Sequence, residues 1–217
     1  MTGFKRAFNA FLDFLYPQEA TCSVCAQETF GEGKNYLCKK CADKLKPLKD
    51  GKAHDGVQVY SSCFYNEFSR QIILSAKDGD NPKYLDVEGA FIAETIKKFD
   101  LKADVLIAVP SFFKSKLKRG FDHMKKVAER VAEKTGVPFE NTLRRRKEGD
   151  DQTNLSYEER LQNVKDDFEY VGESLRGKTV LLLDDVVTSG ATLNACKNAL
   201  SAANPKAVLA VTFARSH

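Results

Sequence analysis

The stretch Thr179-Val180-Leu181-Leu182-Leu183-Asp184-Asp185-Val186-Val187-Thr188-Ser189-Gly190-Ala191-Thr192 decides the fold. Residues 179–183 are β-branched or aliphatic without interruption, as in a strand buried on both faces of a parallel sheet. Two acids follow at once. A hydroxyl-rich loop with one glycine comes next, and a helix is expected over residues 191–203. This order puts polar groups at the carboxyl edge of an open α/β sheet, where ligands bind. The N–H groups and hydroxyls of residues 188–192 suit one phosphate at a helix N-terminus. Gly190 permits close approach or a left-handed backbone. Asp184 and Asp185 beside that cradle suit hydroxyls or Mg²⁺. Together the two halves fit a phosphorylated ribose.

Working outward, residues 104–109 form a second apolar run, ended by Pro110, and residues 207–213 a third. Residues 57–65 have strand character. Helical spacing is expected over 66–77, 86–99 and 121–134, the last closed by Gly136 and Pro138. Residues 47–56 have the composition of a linker, and Asp78-Gly79-Asp80-Asn81-Pro82 that of a turn. Residues 140–163 are polar and weakly periodic, a mobile arm or a pair of extended strands. Strands alternating with helices predict a right-handed parallel α/β core with helices on both faces. The chain is expected to divide into residues 1–55 and 56–217.

A rival pattern lies nearby. Gly172-Glu173-Ser174-Leu175-Arg176-Gly177-Lys178-Thr179 satisfies the P-loop spacing. A P-loop must follow a strand and open a helix. Here the pattern runs straight into the strand at Thr179, so it is a turn rather than an ATPase site.

The front of the chain carries Cys22-x2-Cys25-x12-Cys38-x2-Cys41, two close pairs joined by a short loop. Four thiolates at this spacing suit one tetrahedral Zn²⁺ held structurally, with no open position for catalysis. Iron is the rival occupant, and disulfides the rival chemistry. Cys63 and Cys196 are expected to be small buried residues. His54 is expected in a supporting or solvent-facing place.

The chain has 217 residues, 42% hydrophobic and 29% charged, with formal charge +4. That composition excludes a disordered tract, a collagen-like fibre and a mucin-like stalk. No apolar run is long enough to span a membrane. The first residues lack a small-residue cleavage site, and a signal peptide is not expected. Phe4, Phe8, Phe11 and Leu15 share one side of an expected helix, suited to packing on the main domain or to peripheral membrane contact. The charge is uneven: residues 102–147 hold 13 basic and 5 acidic side chains, while the rest sums to −4. A local anion-facing surface follows.

Three further motifs accompany the acid edge: the four cysteines, Lys118-Arg119-Gly120-Phe121-Asp122-His123, and Gln152-Thr153-Asn154-Leu155-Ser156 with Arg160 and Asn163. In this order, over essentially the whole chain, they resemble the ComF/ComFC competence-protein family, which includes GntX-like members. Residues 184–192 resemble the phosphoribosyl-pyrophosphate signature of type I phosphoribosyltransferases. The resemblance implies a type I phosphoribosyltransferase-like parallel sheet beside a small zinc module. It implies that Asp184 and Asp185 meet the ribose hydroxyls and that Thr188, Ser189, Gly190, Ala191 and Thr192 bind the 5′-phosphate. Mg²⁺ would arrive with phosphoribosyl pyrophosphate. The loop beginning Pro110-Ser111 matches the pyrophosphate loop, with Lys114, Lys116, Lys118 and Arg119 supplying charge. Arg119 is the leading pyrophosphate contact, because its planar fork suits phosphate oxygens.

Two departures are visible: one four-cysteine cluster where relatives carry more, and Asp122 where the family has asparagine. The resemblance also implies cytoplasmic work on incoming single-stranded DNA in competence and transformation. A DNA-translocating helicase and DNA-processing proteins would be partners. Arg144-Arg145-Arg146-Lys147, with Tyr157 or Phe139 as stacking residues, suits nucleic-acid phosphates. Turnover is left open by the residues. Two other readings stay open: a nonenzymatic nucleic-acid adaptor retaining the pocket, and a nucleobase-salvage transferase.

Overall fold

A computed structural model describes residues 21–29, 34–78, 82–146 and 167–216. The expected N-terminal helix, and Gln152, Tyr157, Arg160 and Asn163, lie outside the described residues. The described elements are α1 (Lys39–Ala42), β1 (Gly51–His54), β2 (Val57–Phe64), α2 (Glu67–Asp78), α3 (Lys83–Lys98), β3 (Val105–Ala108), α4 (Phe113–Arg119), α5 (His123–Thr135), β4 (Leu143–Arg145), β5 (Phe168–Tyr170), β6 (Thr179–Val187), α6 (Ala191–Ser201) and β7 (Ala207–Arg215).

The main sheet has the order β1-β2-β7-β6-β3. β2, β7, β6 and β3 run parallel, and β1 joins antiparallel at the edge. β6, β3 and β7 are the three apolar runs of the sequence, and β2 is the stretch of strand character at 57–65. On β6, Leu181 and Leu183 pack with Ile92 of α3 and Val127 of α5. Its other face sends Val180 and Leu182 against Leu193 and Cys196 of α6. Helices therefore cover both faces, and strand alternation assigns each residue its side. Cys63 and Cys196 are buried as expected, and burial pushes both thiols up.

Three details differ from the sequence expectation. Residues 51–54 are an edge strand rather than linker. The hairpin turn that joins β1 to β2 uses left-handed backbone at Asp55 (φ 47°) and Gly56 (φ 78°), which suits a two-residue connection. α4 was not expected, because its sequence is basic with no apolar stripe. Residues 143–145 form an extended strand, but its antiparallel partner is 168–170, beyond the expected segment of 140–163. Residues 172–178 hold no helix and enter β6 directly, so the P-loop pattern is a turn.

The cysteine segment does not stand apart. Leu37 and Leu45 are buried in the same apolar cluster as Ile72, Ile92 and Phe213 of the main core.

Candidate functional site

β6 delivers its two acids to opposite sides, as the period of two demands. Asp185 continues the side of Leu181 and Leu183. Lys77, at the end of α2, forms an ion pair with Asp185 Oδ2, and His123 Nδ1 stands 3.9 Å from the same oxygen. Asp184 continues the other side, where it feels the Arg145 guanidinium. Burial raises the Asp184 carboxyl well above the ordinary range, and the adjacent Asp185 charge raises it further. The Asp185 N–H, 2.9 Å from Asp184 Oδ1, opposes that rise, as do Lys77 and Arg145.

Beyond the acids, residues 186–193 fold into a small cup with Asp184 in its wall. Gly190 is the N-cap of α6 with φ 90° and offers no side chain of its own. Ser189 Oγ accepts from the Ala191 N–H at 3.3 Å, and the N–H groups that follow in the first turn suit an anion. A Cβ at Gly190 would lie 2.6 Å from the His54 Cβ and 3.0 Å from His54 backbone atoms. Glycine is required here by both dihedral and space. His54 is buried beneath this loop, with the Thr188 backbone as a hydrogen-bond partner. Burial lowers its basicity, aided by the charges of Lys52 and Arg215. The solvent-facing alternative for His54 is therefore corrected. No distance along the sequence foretold it.

The loop after β3 carries Ser111. Its hydroxyl donates to Asp122 Oδ1 at 3.2 Å. Asp122 caps α5 by accepting from the Lys125 N–H and pairs with Lys116 at 2.5 Å. The residue that departs from the family pattern thus ties three elements together. It also neutralises one lysine of the expected anion-facing surface. Lys125 and Lys126 pair with Glu129, and Arg130 with Asp86, so the strong local charge is partly spent internally. Among the described residues Lys118 and Arg119 have no acidic partner, and Arg119 Nη1 is buried without a hydrogen bond.

Arg145, one member of the basic run, is not on a solvated tip. Its guanidinium lies 3.6 Å from the Phe112 ring centroid and 4.8 Å from that of Phe168. Burial lowers its basicity, while Asp167, Cys196 and Asp184 pull it back up. Arg145, packed on Phe112, thereby lies within electrostatic reach of Asp184.

At the opposite pole, the ligand atoms of Cys22, Cys25, Cys38 and Cys41 all lie within 4.8 Å of one another. Cys25 Sγ and Cys38 Sγ are 3.7 Å apart. That is too far for a disulfide and matches the edge, about 3.8 Å, of a tetrahedron of sulfurs around one Zn²⁺. The first pair sits in a turn closed by the Ala26 N–H on the Cys22 carbonyl, with Ala26 left-handed. Cys41 sits on α1, and its N–H bonds to the Cys38 carbonyl. Burial raises the Cys22 thiol, but backbone hydrogen bonds at Cys25, Cys38 and Val24 outweigh it and bring it down to about 6. Burial and the neighbouring thiols push Cys41 up. Four thiols in this arrangement can hold a metal ion.

An acid pair at the edge of a parallel sheet, followed by a glycine-capped helix, defines an α/β domain whose polar groups gather at the carboxyl edge of its strands. The chain belongs to the phosphoribosyl transferase domain family, whose model matches residues 79–217. It is 28% identical over 229 residues to the competence protein ComFC of Streptococcus pneumoniae (strain ATCC BAA-255 / R6), covering 96% of this chain and 93% of that protein. The ComF/ComFC resemblance of the motifs is thereby met by a likeness along nearly the whole chain.

Solved structures are also similar. Glutamine phosphoribosylpyrophosphate amidotransferase from B. subtilis is 25% identical over 64% of this chain, with a TM-score of 0.40; the match spans only 26% of that enzyme. Purine phosphoribosyltransferase from Pyrococcus horikoshii Ot3 is 12% identical over 68% of this chain and 85% of that one, with a TM-score of 0.35. No helix among the described residues is long and apolar enough to cross a membrane.

Proposed function

We propose that this chain binds phosphoribosyl pyrophosphate with Mg²⁺ at the carboxyl edge of β6 and single-stranded DNA on its basic face, acting in DNA uptake and transformation. The observation that carries the first part is the cup beside two acids with a glycine-capped helix start in its wall. The 5′-phosphate sits against residues 188–192, and Asp184 and Asp185 take the ribose hydroxyls. Ser111, Lys118 and Arg119 face the pyrophosphate. Carboxylate oxygens at this edge suit a hard cation, which when bound neutralises charge growing on a departing pyrophosphate. The orphaned Nη1 of Arg119 suits the same task. The four cysteines hold Zn²⁺, which closes residues 21–45 into a unit.

The DNA-binding part draws support from the likeness to the competence protein and from Lys118, Arg119 and residues 144–147. A helicase and other DNA-processing proteins of the cytoplasm are the fitting partners.

Paired titrations test the reading. Wild type and Asp184→Asn/Asp185→Asn are titrated with phosphoribosyl pyrophosphate and Mg²⁺, and separately with single-stranded DNA at two salt concentrations. The expected result is loss of the sugar-phosphate signal alone in the variant, with DNA binding that weakens with salt. A wild type blind to phosphoribosyl pyrophosphate refutes the first part. DNA binding that is absent or indifferent to salt refutes the second.

A further inference from the structure

Behind the acid pair lies a second polar cluster, of which the motifs contain only His123 and Asp185. Glu88, in the middle of α3, is fully buried. Its Oε2 lies 2.9 Å from Nε2 of His123, the first residue of α5, which is fully buried too. The separation is that of an ion pair, but the ring N–H is not aligned for a hydrogen bond, and neither oxygen of Glu88 finds an aligned donor. On the far side of the ring, His123 Nδ1 faces Asp185 Oδ2 at 3.9 Å. Lys77 closes the series by pairing with that same oxygen. Four elements, α3, α5, β6 and α2, each contribute one group to a line that runs from the core to the sheet edge.

Packing does not account for this line. A buried ion pair is a poor stabiliser compared with apolar residues of similar volume, since desolvating both charges offsets their attraction. Glu88 has apolar neighbours in abundance, and leucine or methionine would suit its place better. Burial pushes its carboxyl up, the His123 charge and contact pull it back, and Asp185 pushes it up again. Asp185 is the member of the line that reaches the site, with 14% of its side chain exposed.

We infer that Glu88, His123 and Lys77 are positioning residues that fix the Asp185 carboxylate for a ribose hydroxyl. His123 and Lys77 both engage Oδ2, which leaves Oδ1 for the ligand. Glu88 holds the imidazole from behind, as an outer carboxylate orients a histidine in many sites. The start of α5 then serves both halves of the pocket. Asp122 ties it to Ser111 of the pyrophosphate loop, and the next residue, His123, ties it to the ribose acid. This inference rests on the phosphoribosyl pyrophosphate reading above.

The test compares Glu88→Gln, His123→Gln, Lys77→Met and Lys77→Arg with the wild-type chain. Each is titrated with phosphoribosyl pyrophosphate and Mg²⁺, with ribose 5-phosphate, and with inorganic phosphate, and its thermal midpoint is recorded. The first three variants are expected to bind both ribose ligands about tenfold more weakly, the typical cost of losing an orienting partner. Inorganic phosphate affinity stays unchanged, because the cup of residues 186–193 is intact. Lys77→Arg keeps the wild-type affinity for the ribose ligands.

Unchanged affinity for the ribose ligands in the first three variants overturns the inference while leaving the binding site standing. A parallel loss for all three ligands also overturns it, since that marks a structural role. If a Glu88 or His123 variant fails to fold, the contrast between Lys77→Met and Lys77→Arg, at the surface end of the line, decides the matter. A wild type that binds neither ribose ligand overturns both this inference and the function it rests on.

Discussion

The cysteine knuckle and the acid edge each gather four or more chemically active groups, yet they are built on opposite terms. In the knuckle, three of the four ligand side chains are buried and form part of the apolar cluster themselves. The turns around them use left-handed backbone at Ala26, Asn35 and Tyr36, none of them glycine. Such a segment has little apolar core of its own beyond the docking of Leu37 and Leu45, so a metal bound there would add folding energy. At the acid edge the sheet is complete without a ligand. There the polar groups are a cost carried by the fold: a raised Asp184, a buried Glu88 and an arginine with an orphaned nitrogen. Removal of the active groups should therefore weaken one region and strengthen the other.

The largest effect is expected from the metal. Chelation, or Cys41→Ser, should remove one bound ion per chain and cost several kcal/mol of stability. Metal analysis alongside thermal unfolding checks it. An unchanged midpoint in the metal-free chain would erase the contrast between the regions. Next comes Gly190→Ala. It combines a strained left-handed residue with a clash against His54, for a loss of about 2–4 kcal/mol in denaturant unfolding.

Asp184→Asn should act in the other direction. A carboxyl whose folded value is raised contributes stability that is present in acid and lost as pH rises. The asparagine variant behaves as the permanently neutral form. It should exceed wild type by about 1 kcal/mol or more at pH 7, with the gap closing as pH falls toward about 4. Melting curves across that range would show the crossover, and a variant less stable at pH 7 would contradict the cost assigned to the edge. The smallest change is expected at Lys118, exposed and without an acidic partner among the described residues. Lys118→Ala should alter stability by no more than about 0.5 kcal/mol, while lowering affinity for phosphoribosyl pyrophosphate in a binding titration.

What could be foreseen from the residue order follows from how local the physics is. The runs at 104–109, 179–183 and 207–213 declare themselves because a strand buried on both faces needs a near-continuous apolar segment, and 57–65 does so by its β-branched and aromatic residues. The cysteine spacing declares itself because both halves of each pair sit on one turn. β1 escaped notice because Gly51-Lys52-Ala53-His54 has no apolar signal, and its hydrogen bonds come from β2. α4 escaped because a basic face toward solvent needs no stripe. Lys77, Glu88 and His123 come from three separate elements and line up behind Asp185 only after the sheet has formed, while Arg145 reaches the Asp184 side from a fourth, so no spacing announces them. Part of the neutralisation of the basic segment was hidden for the same reason, since Lys116 and Asp122 lie on either side of the Gly120 turn, whereas the Glu129 pairs follow ordinary helix spacing.

The sheet order has a consequence for how the molecule comes into being. β7 is the last described strand along the chain, yet it lies between β2 and β6. Before β7 emerges from the ribosome, β2 and β6 have no common neighbour, and each presents an open apolar edge. The knuckle can close early from contacts within about twenty residues of one another, but the centre of the sheet must wait. Such late, non-local pairing slows folding and lengthens exposure of unpaired strands. The pocket at the edge of β6 is thus completed all at once, when β7 slots into the gap between its two neighbours.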